Sequence, residues 1–414
     1  MGGEAPVLPP VHEDGQLPPA GPLAGLLVAD FSRVLAGPYC TMTLADLGAE
    51  VIKVESPSGD DTRSWAPPMS ADGVATYYLG VNRNKRSIIL DLANPDDLTD
   101  AHELARRADV VVENFRPGGM AKFGLDYESV ARVNPGVVYA SISGFGSGAG
   151  ADIPGYDLVV QAMSGLMSLT GDADGSPYRA GVALFDVMSG MNSAIGILAA
   201  VRHRERTGEG QHVEVNLMST ALAAMANHAT AFAVSGEVAT RMGNAHQSVF
   251  PYEPLPTADG ELVVIAANNS QFQRLCEVLG TGASDGLGDI SADPRFATNT
   301  LRVAHRDELR PLLVDRLLTR TRQEWFDALL AAGLPSAPIN GIDEGIAFAE
   351  RIGLDPMVQV ADASGSAVSI RSPLRLSATP PDYRRPPPTL GQHSDEVRAW
   401  LRTPLDPPMS GATP

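Results

Sequence analysis

The chain reads as an α/β protein with a doubly wound, largely parallel sheet and a second, smaller α+β domain. Three observations carry this reading. Short, largely apolar strand patterns such as LLVAD (26–30) and VIKVE (51–55) alternate with amphipathic helix patterns through the first half of the chain, the signature of βαβ units whose strands are buried on both faces. Turn signals of the type GAE and TGEG separate the patterns at the short intervals such units use. Around Gly236 the pattern changes to a hairpin-like strand followed by a run of helices, as expected where a separate domain begins.

Taken in order, residues 1–22 are rich in Pro, Gly and Glu and read as a disordered leader. The first strand, ending at Asp30, is followed by a loop, FSRVLAG, and by a helix that Pro38 opens and Gly48 closes. Strands are expected at 51–55, 87–92, in ADVVVEN (108–114) and in GVVYASISGFG (136–146), with a helix over Pro95–Arg107. That helix carries Asp96, Asp97 and Asp100 towards its front and Arg106 and Arg107 at its back, as the helix dipole favours. Shorter helices are expected over Gly118–Phe123, Tyr127–Val133 and Leu158–Ser168. The apolar run 181–185 delivers Asp186 to the start of a long helix ending near Arg206, and a strand (212–217) and an Ala/Met-rich helix (Ser219–Ser235) follow. Beyond lie a strand within 257–268 and helices over Gln271–Leu279, His305–Thr319 and Arg322–Ala332. Next come a helix over Glu344–Arg351, strands near 357–360 and 368–370, a Pro-rich stretch and a last helix, Glu396–Leu401. The domain plan is a leader (1–22), the first part of the large domain (23–225), a small domain with linkers (226–335), and a return to the large domain with the tail (336–414).

Composition narrows the function. The 414 residues carry a net charge of −18, which disfavours binding to nucleic acid or an anionic membrane. The two cysteines, Cys40 and Cys276, and eight scattered histidines give no disulfide framework and no metal-ligand spacing. No signal-peptide core or uninterrupted spanning segment is evident, so a cytoplasmic location is expected. There is no G-x-G-x-x-G after the first strand and no Walker motif, which disfavours nicotinamide and nucleoside-triphosphate chemistry.

The candidate chemistry lies at strand ends: FSRVLAGP (31–38), GDDTR (59–63), NRNKR (82–86) and ENFRPG (113–118). Arg63, Arg83, Lys85, Arg86, Arg116 and Lys122 form a basic set on an acidic chain. Each alone is most simply a solvated charge, and together they suit a phosphate-bearing ligand. Asp186 has two compatible readings. An Asp at a helix start ordinarily caps it, and the same free N–H groups and dipole hold a carboxylate ionised, ready to attack an activated carbonyl.

These segments also carry a resemblance. VADFSRVLAGPYCTMTLADLGAEVIKVESP, GDDTR, NRNKRSIILDL, VVENFRPG, GYDLVVQAMSG, LFDVMSG, RTGEGQHVEVNL, RMGNAHQSVFPYEPLPTADG, AGLPSAPIN and PPPTLGQHSDEV occur in that order from about Leu23 to Leu401. In this order and spacing the chain resembles the class III (CaiB/BaiF-type) CoA-transferases. Formyl-CoA transferase and carnitine CoA-transferase belong to this family, and alpha-methylacyl-CoA racemase is a relative. The resemblance implies a Rossmann-like large domain built from both ends of the chain, and an interlocked homodimer. It implies CoA thioesters and free carboxylic acids as substrates, with no tightly bound cofactor and no metal. It places the nucleophilic aspartate on Asp186, and CoA contacts on Leu35, Ala36, Ser56, Leu90, Asp91, Asn114, Phe115, Arg116, Lys122, Tyr156 and Asp157, to which the GDDTR segment adds Arg63. It implies a covalent route through a mixed anhydride and an aspartyl-CoA thioester, whose oxyanions need N–H donors from the helix start at Asp186 or the glycine-rich loops. Leu35 stands where formyl-CoA transferase has glutamine, and the small-domain loop reads GNAHQSVFPYEP in place of a glycine run, which points away from oxalate and formate. Ser56 stands where a basic residue is common.

Two other functions compete. The racemase branch needs a His–Asp acid/base pair, and its histidine falls on Tyr156, whose ordinary pKa of about 10 suits that role poorly. A non-catalytic acyl-CoA binder would retain Asp186 only as a cap. The sequence leaves the donor and acceptor acids open.

Overall fold

A computed structural model describes residues 21–280 and 289–404. The expected leader lies outside the described residues apart from Gly21 and Pro22. The described chain forms two compact units. One comprises 21–164, 180–234 and 355–404; the other comprises 165–179, 235–280 and 289–354. The segments 165–179 and 336–354 therefore belong to the second unit, whereas the sequence reading put both in the large domain.

The first unit is built on six parallel strands: β1 (Leu27–Asp30), β2 (Glu50–Glu55), β3 (Lys85–Ile89), β4 (Val110–Glu113), β5 (Val138–Ser143) and β6 (Gln211–Asn216). Their order across the sheet is β3-β2-β1-β4-β5-β6, with every neighbouring pair parallel. This is the order of a doubly wound sheet, which reverses between β1 and β4 and opens a ligand crevice at the strands' carboxyl ends. Val28, Ala29, Val51, Ile52, Val110, Val111, Val112 and Val138 are all buried, which is why these strands read as continuous apolar runs. The helix Pro95–Arg107 forms as its sequence predicts. Pro95 occupies the first turn, and the Asn94 side chain accepts from the backbone of Asp96 (2.9 Å) and Asp97 (3.3 Å). The chain between β5 and β6 runs through the helix Leu184–Thr207, which Gly208 ends in the left-handed conformation (φ 78°). An antiparallel hairpin, Met357–Asp362 with Gly365–Ile370, and the helix Ser394–Leu401 complete this unit. The tail is pinned to the edge strand β3: His393 donates its backbone N–H to Ser87 O (2.9 Å) and accepts from Ser87 N–H on its ring (3.2 Å).

The second unit has an antiparallel sheet of Tyr252–Pro256, Glu261–Ile265 and Ser336–Pro338. The helices Asn269–Leu279, Arg306–Leu317 and Arg322–Ala331 accompany it, around a core that includes Leu255, Leu262, Phe272, Leu313 and Trp325.

Four helices differ from the sequence reading, the one expected over Gly118–Phe123 being the 3₁₀ turn Ala121–Phe123. The first helix of the chain begins at Ala36, so Pro38 is its third residue. The helix expected over 158–168 breaks at Gly165 (φ 99°), leaving Asp157–Ser164 and a single turn, Leu166–Leu169. The Ala/Met-rich helix is two helices, Leu217–Ala224 and Ala226–Ser235, bent by 81° where Ala226 takes φ 30°. Residues of high helix propensity flank that break, so no local signal announces it.

Candidate active site

The crevice at the reversal of the sheet is occupied by three loops. Residues 31–35 follow β1, residues 114–120 follow β4, and a glycine loop from Gly144 follows β5. They enclose a cleft of about 230 Å³. Leu35, Ala36, Asn114, Phe115, Arg116, Tyr156 and Asp186 all line it. The sequence reading spread these seven residues over 152 positions (35 to 186), and the sheet brings them to one place.

Six other expected contacts lie elsewhere. Leu90 is buried in the apolar core. Asp91 and Ser56 are exposed, Asp91 accepting from Ala93 N–H (3.0 Å) and Ser56 bonding the Ser58 hydroxyl (2.9 Å). Lys122 is exposed, its ammonium 4.7 Å from the centre of the Phe123 ring. The Arg63 guanidinium bonds both oxygens of Glu55 (2.8 and 2.7 Å), the Tyr78 hydroxyl (2.6 Å) and Pro388 O (3.1 Å). Asp157 is buried and faces the helix that carries Asp186.

The basic set is likewise divided, contrary to the single phosphate-binding cluster proposed from sequence. Arg83, Lys85 and Arg86 are buried. Arg83 forks onto Asp46 (2.9 and 2.6 Å), Lys85 meets Asp30 (3.1 Å), and Arg86 pairs with Glu50 (3.0 Å) and Glu396 (2.6 Å). A cation inside a protein needs such partners, and these three are committed to acids of the fold. Arg116 remains at the cleft, exposed and without an ion pair among the described residues.

Asp186 lies in the first turn of the helix Leu184–Thr207, yet it does not cap that helix. Asp157 does so from another element: its Oδ1 accepts from Phe185 N–H (2.7 Å) and Asp186 N–H (3.2 Å). Gln161, one turn after Asp157 on the same short helix, donates to Asp157 Oδ2 and to Val182 O (3.3 Å), and accepts from Ala180 N–H (2.8 Å). Gln161 thus fixes the Asp157 rotamer and the strand of chain leading into Asp186. The sequence reading missed it, and the i, i+4 spacing of Asp157 and Gln161 was the available signal. Leu184 N–H goes to Val182 O (2.9 Å) and Val187 N–H to Ala183 O (3.2 Å). The N–H groups of residues 184–187 are therefore engaged within the protein, contrary to the expectation that the turn carrying Asp186 supplies oxyanion donors.

The electrostatics follow from the same exchange. The Asp186 carboxyl is pushed up to about 7, first by burial and then by the like charge of Asp157. The expectation that the helix start holds it ionised is corrected, because the backbone donors that would do so stabilise Asp157. A second residue missed from sequence is Tyr77. Burial raises its phenol, and the charges of Asp186 and Asp157 raise it further, which puts its hydroxyl in the field of the pair. Tyr77 also packs edge-on against Trp65 (5.2 Å between ring centres).

The arrangement presents a carboxylate that ionises near neutrality on the wall of a cleft, beside the start of the helix Ala36–Asp46. That start carries no side-chain cap, a feature that favours negative charge nearby. Comparison with known proteins agrees. The family model described as CoA-transferase family III matches residues 23–394.

The chain belongs to CoA-transferase family III. A succinate–glutarate CoA-transferase of Agrobacterium fabrum is 45% identical over 390 residues, covering 92% of this chain and 96% of that protein. The human succinyl-CoA:glutarate CoA-transferase is 38% identical over 379 residues, covering 91% of this chain and 85% of the human protein. The crystal structure of a CaiB/BaiF family protein from Brucella suis superposes with a TM-score of 0.82 at 40% identity, covering 92% of this chain and all of that one. The protein is a CoA-transferase: it moves CoA from an acyl-CoA donor to a free carboxylic acid.

Proposed function

We propose that this transferase works through covalent catalysis at Asp186, with CoA thioesters of succinate-class dicarboxylic acids as donors and a dicarboxylate such as glutarate as acceptor. The observation that carries the mechanism is the position of Asp186 on the cleft wall, with its backbone restrained by Asp157 and its carboxylate left unbonded to that cap. The substrate class rests on the names of the Agrobacterium and human relatives.

The deprotonated Asp186 oxygen attacks the donor thioester carbonyl. The C–S bond breaks, CoA leaves as thiolate, and a mixed anhydride remains. The thiolate attacks the Asp186 carbonyl of that anhydride, releasing the donor acid and leaving an aspartyl-CoA thioester. The acceptor carboxylate attacks this thioester, expelling the thiolate again. Attack of the thiolate on the acceptor acyl carbon then forms the new acyl-CoA and frees Asp186. Each tetrahedral oxyanion draws on the backbone at the uncapped helix start of Ala36–Asp46 and on the glycine loop beyond β5. CoA lies along Leu35, Ala36, Asn114, Phe115 and Tyr156, with Arg116 at a phosphate. Nothing in this sequence of steps calls for a tightly bound cofactor.

The active form is a homodimer. Ile195 on the helix Leu184–Thr207 is 63% exposed, and Phe232 and Val234 on the helix Ala226–Ser235 are 59% and 82% exposed. Aliphatic and aromatic faces of this kind are ordinarily covered by a partner. The two-part domain plan and a cytoplasmic setting complete the reading.

The test is intact-protein mass after mixing with succinyl-CoA, followed by peptide mapping. The expected result is a CoA-sized adduct on the peptide containing Asp186, absent in Asp186→Asn, which also loses CoA exchange. Undiminished exchange in Asp186→Asn would overturn the mechanism. Solvent deuterium entering the alpha carbon of a branched acyl-CoA, without an adduct, would replace it with racemase chemistry.

A further inference from the structure

The turn that follows β1 is held in an unusual way. Val34 has φ 68°, a left-handed conformation that is costly for a β-branched residue. Backbone groups of residues 32–34 are tied to side chains, most of them from other parts of the sheet edge. Ser32 N–H donates to Asp30 (3.0 Å), and Ser32 O accepts from Lys53 Nζ (2.9 Å). Arg33 N–H donates to Asn114 Oδ1 (2.9 Å), while Asn114 Nδ2 donates back to Arg33 O (2.7 Å). Val34 N–H sits between the two oxygens of Asp60, at 3.4 and 3.3 Å. Asp60 is buried and fixed in turn: it pairs with the buried Lys53 (2.9 Å) and accepts from the Thr62 N–H (3.0 Å) and hydroxyl (2.7 Å).

What this restraint secures is the cleft wall. Val34 and Leu35 line the cleft with Asp186. They also pack in one apolar cluster with Ala183 and Val187, which lie just before and just after Asp186 in the chain.

We propose that Asp60, backed by Lys53, is a positioning residue for the transferase reaction. It holds Val34 in the left-handed conformation that sets Leu35 and Ala36 against the thioester and supports the flanks of Asp186. This rests on the reading of the cleft as the acyl-CoA site. In Asp60→Asn, the amide Nδ2 would face the Lys53 ammonium and the Val34 N–H, donor against donor. The Val34 bond to Oδ2 is then lost and only the 3.4 Å contact to Oδ1 remains, so the restraint on Val34 is weakened while the side-chain shape is kept.

The experiment compares four full-length proteins: wild type, D60N, V34G and D60N/V34G. CoA affinity is read by calorimetry, KM and kcat with succinyl-CoA, and melting by circular dichroism. Glycine takes positive φ without penalty, so the turn in V34G has less need of Asp60. D60N is expected to weaken CoA binding and raise KM for the thioester by about tenfold, the scale of one lost conformational restraint. In the V34G background the same change is expected to cost less than about threefold. Equal losses in both backgrounds, or a lower melting temperature with KM unmoved, overturn the proposal. If D60N alone fails to fold, recovery of folded, CoA-binding protein in D60N/V34G supports it and no recovery overturns it. A fifth protein, Arg116→Ala, tests the placement of the site: CoA binding undiminished in it would overturn that placement, and the proposal with it.

Discussion

Replacing Asp157 with Asn separates the two things this residue does for Asp186. Asn keeps an oxygen that can accept from the Phe185 and Asp186 N–H groups, now at 2.7 and 3.2 Å from Asp157 Oδ1, so the cap is kept while the bond from Gln161 Nε2 to the other oxygen gives way to a donor–donor contact. It removes the negative charge that stands second only to burial in raising Asp186 to about 7. A like charge at close range shifts a carboxyl by roughly one pH unit or more, about 1.4 kcal/mol. In the proposed route Asp186 attacks only when deprotonated, so the rate of adduct formation is expected to rise with pH through its pKa. The rise is expected to centre near pH 7 in the wild-type protein and about one unit lower in D157N. The assay is rapid quenching with succinyl-CoA and intact mass across that range. Asp157→Ala, which removes charge and cap together, serves as contrast. It should lower the midpoint as well, with an added stability loss of about 1 kcal/mol for the missing cap. A midpoint in D157N that stays put or moves up would refute the assignment of Asp157 as the charge that tunes Asp186. Stability follows with the opposite sign. The folded chain holds a proton on Asp186 from about 3.8, the ordinary value, up to about 7. The native state therefore binds more protons than the unfolded one in that window, and stability falls as pH rises through it. D157N should flatten that fall.

Three further outcomes can be checked directly. Arg302 is fully buried with no carboxylate partner among the described residues. It bonds Phe250 O (3.0 Å), Phe296 O (3.0 Å) and Asn269 Oδ1 (3.1 Å), and its guanidinium lies 4.4 Å from the Phe272 ring centre. Arg302→Lys cannot reproduce the planar fork and should cost about 2 kcal/mol or more in urea unfolding; a loss under about 0.5 kcal/mol would contradict it. Cys40 is fully buried, and burial raises its thiol well above the usual range, so Ellman's reagent should label it only after denaturation. Gln161→Leu should slow adduct formation without weakening CoA binding, because Gln161 touches Asp157, Val182 and Ala180 (3.3 Å and 2.8 Å to the latter two) and does not line the cleft. Kinetics with separate kcat and KM decide it.

Local physics made the strands and most helices legible. Largely apolar runs such as 26–30 and 51–55 bury on both faces of a parallel sheet, and Asn94 with Pro95 supplies the cap and first turn of the helix that follows. The ordered motifs from Leu23 to Leu401 carried the family and, with it, Asp186. Tertiary structure decided what each polar residue touches, because that depends on groups distant in sequence. Arg83, Lys85 and Arg86 read as a cationic surface, and the fold buries them against Asp46, Asp30 and Glu50. Asp186 read as its own helix's cap, and the cap comes from Asp157, 29 residues earlier. An N-cap position can be filled by any oxygen that reaches it. Only packing shows that Asp157 reaches it first, and that Asp186 is thereby left to face the cleft with a proton it releases near pH 7.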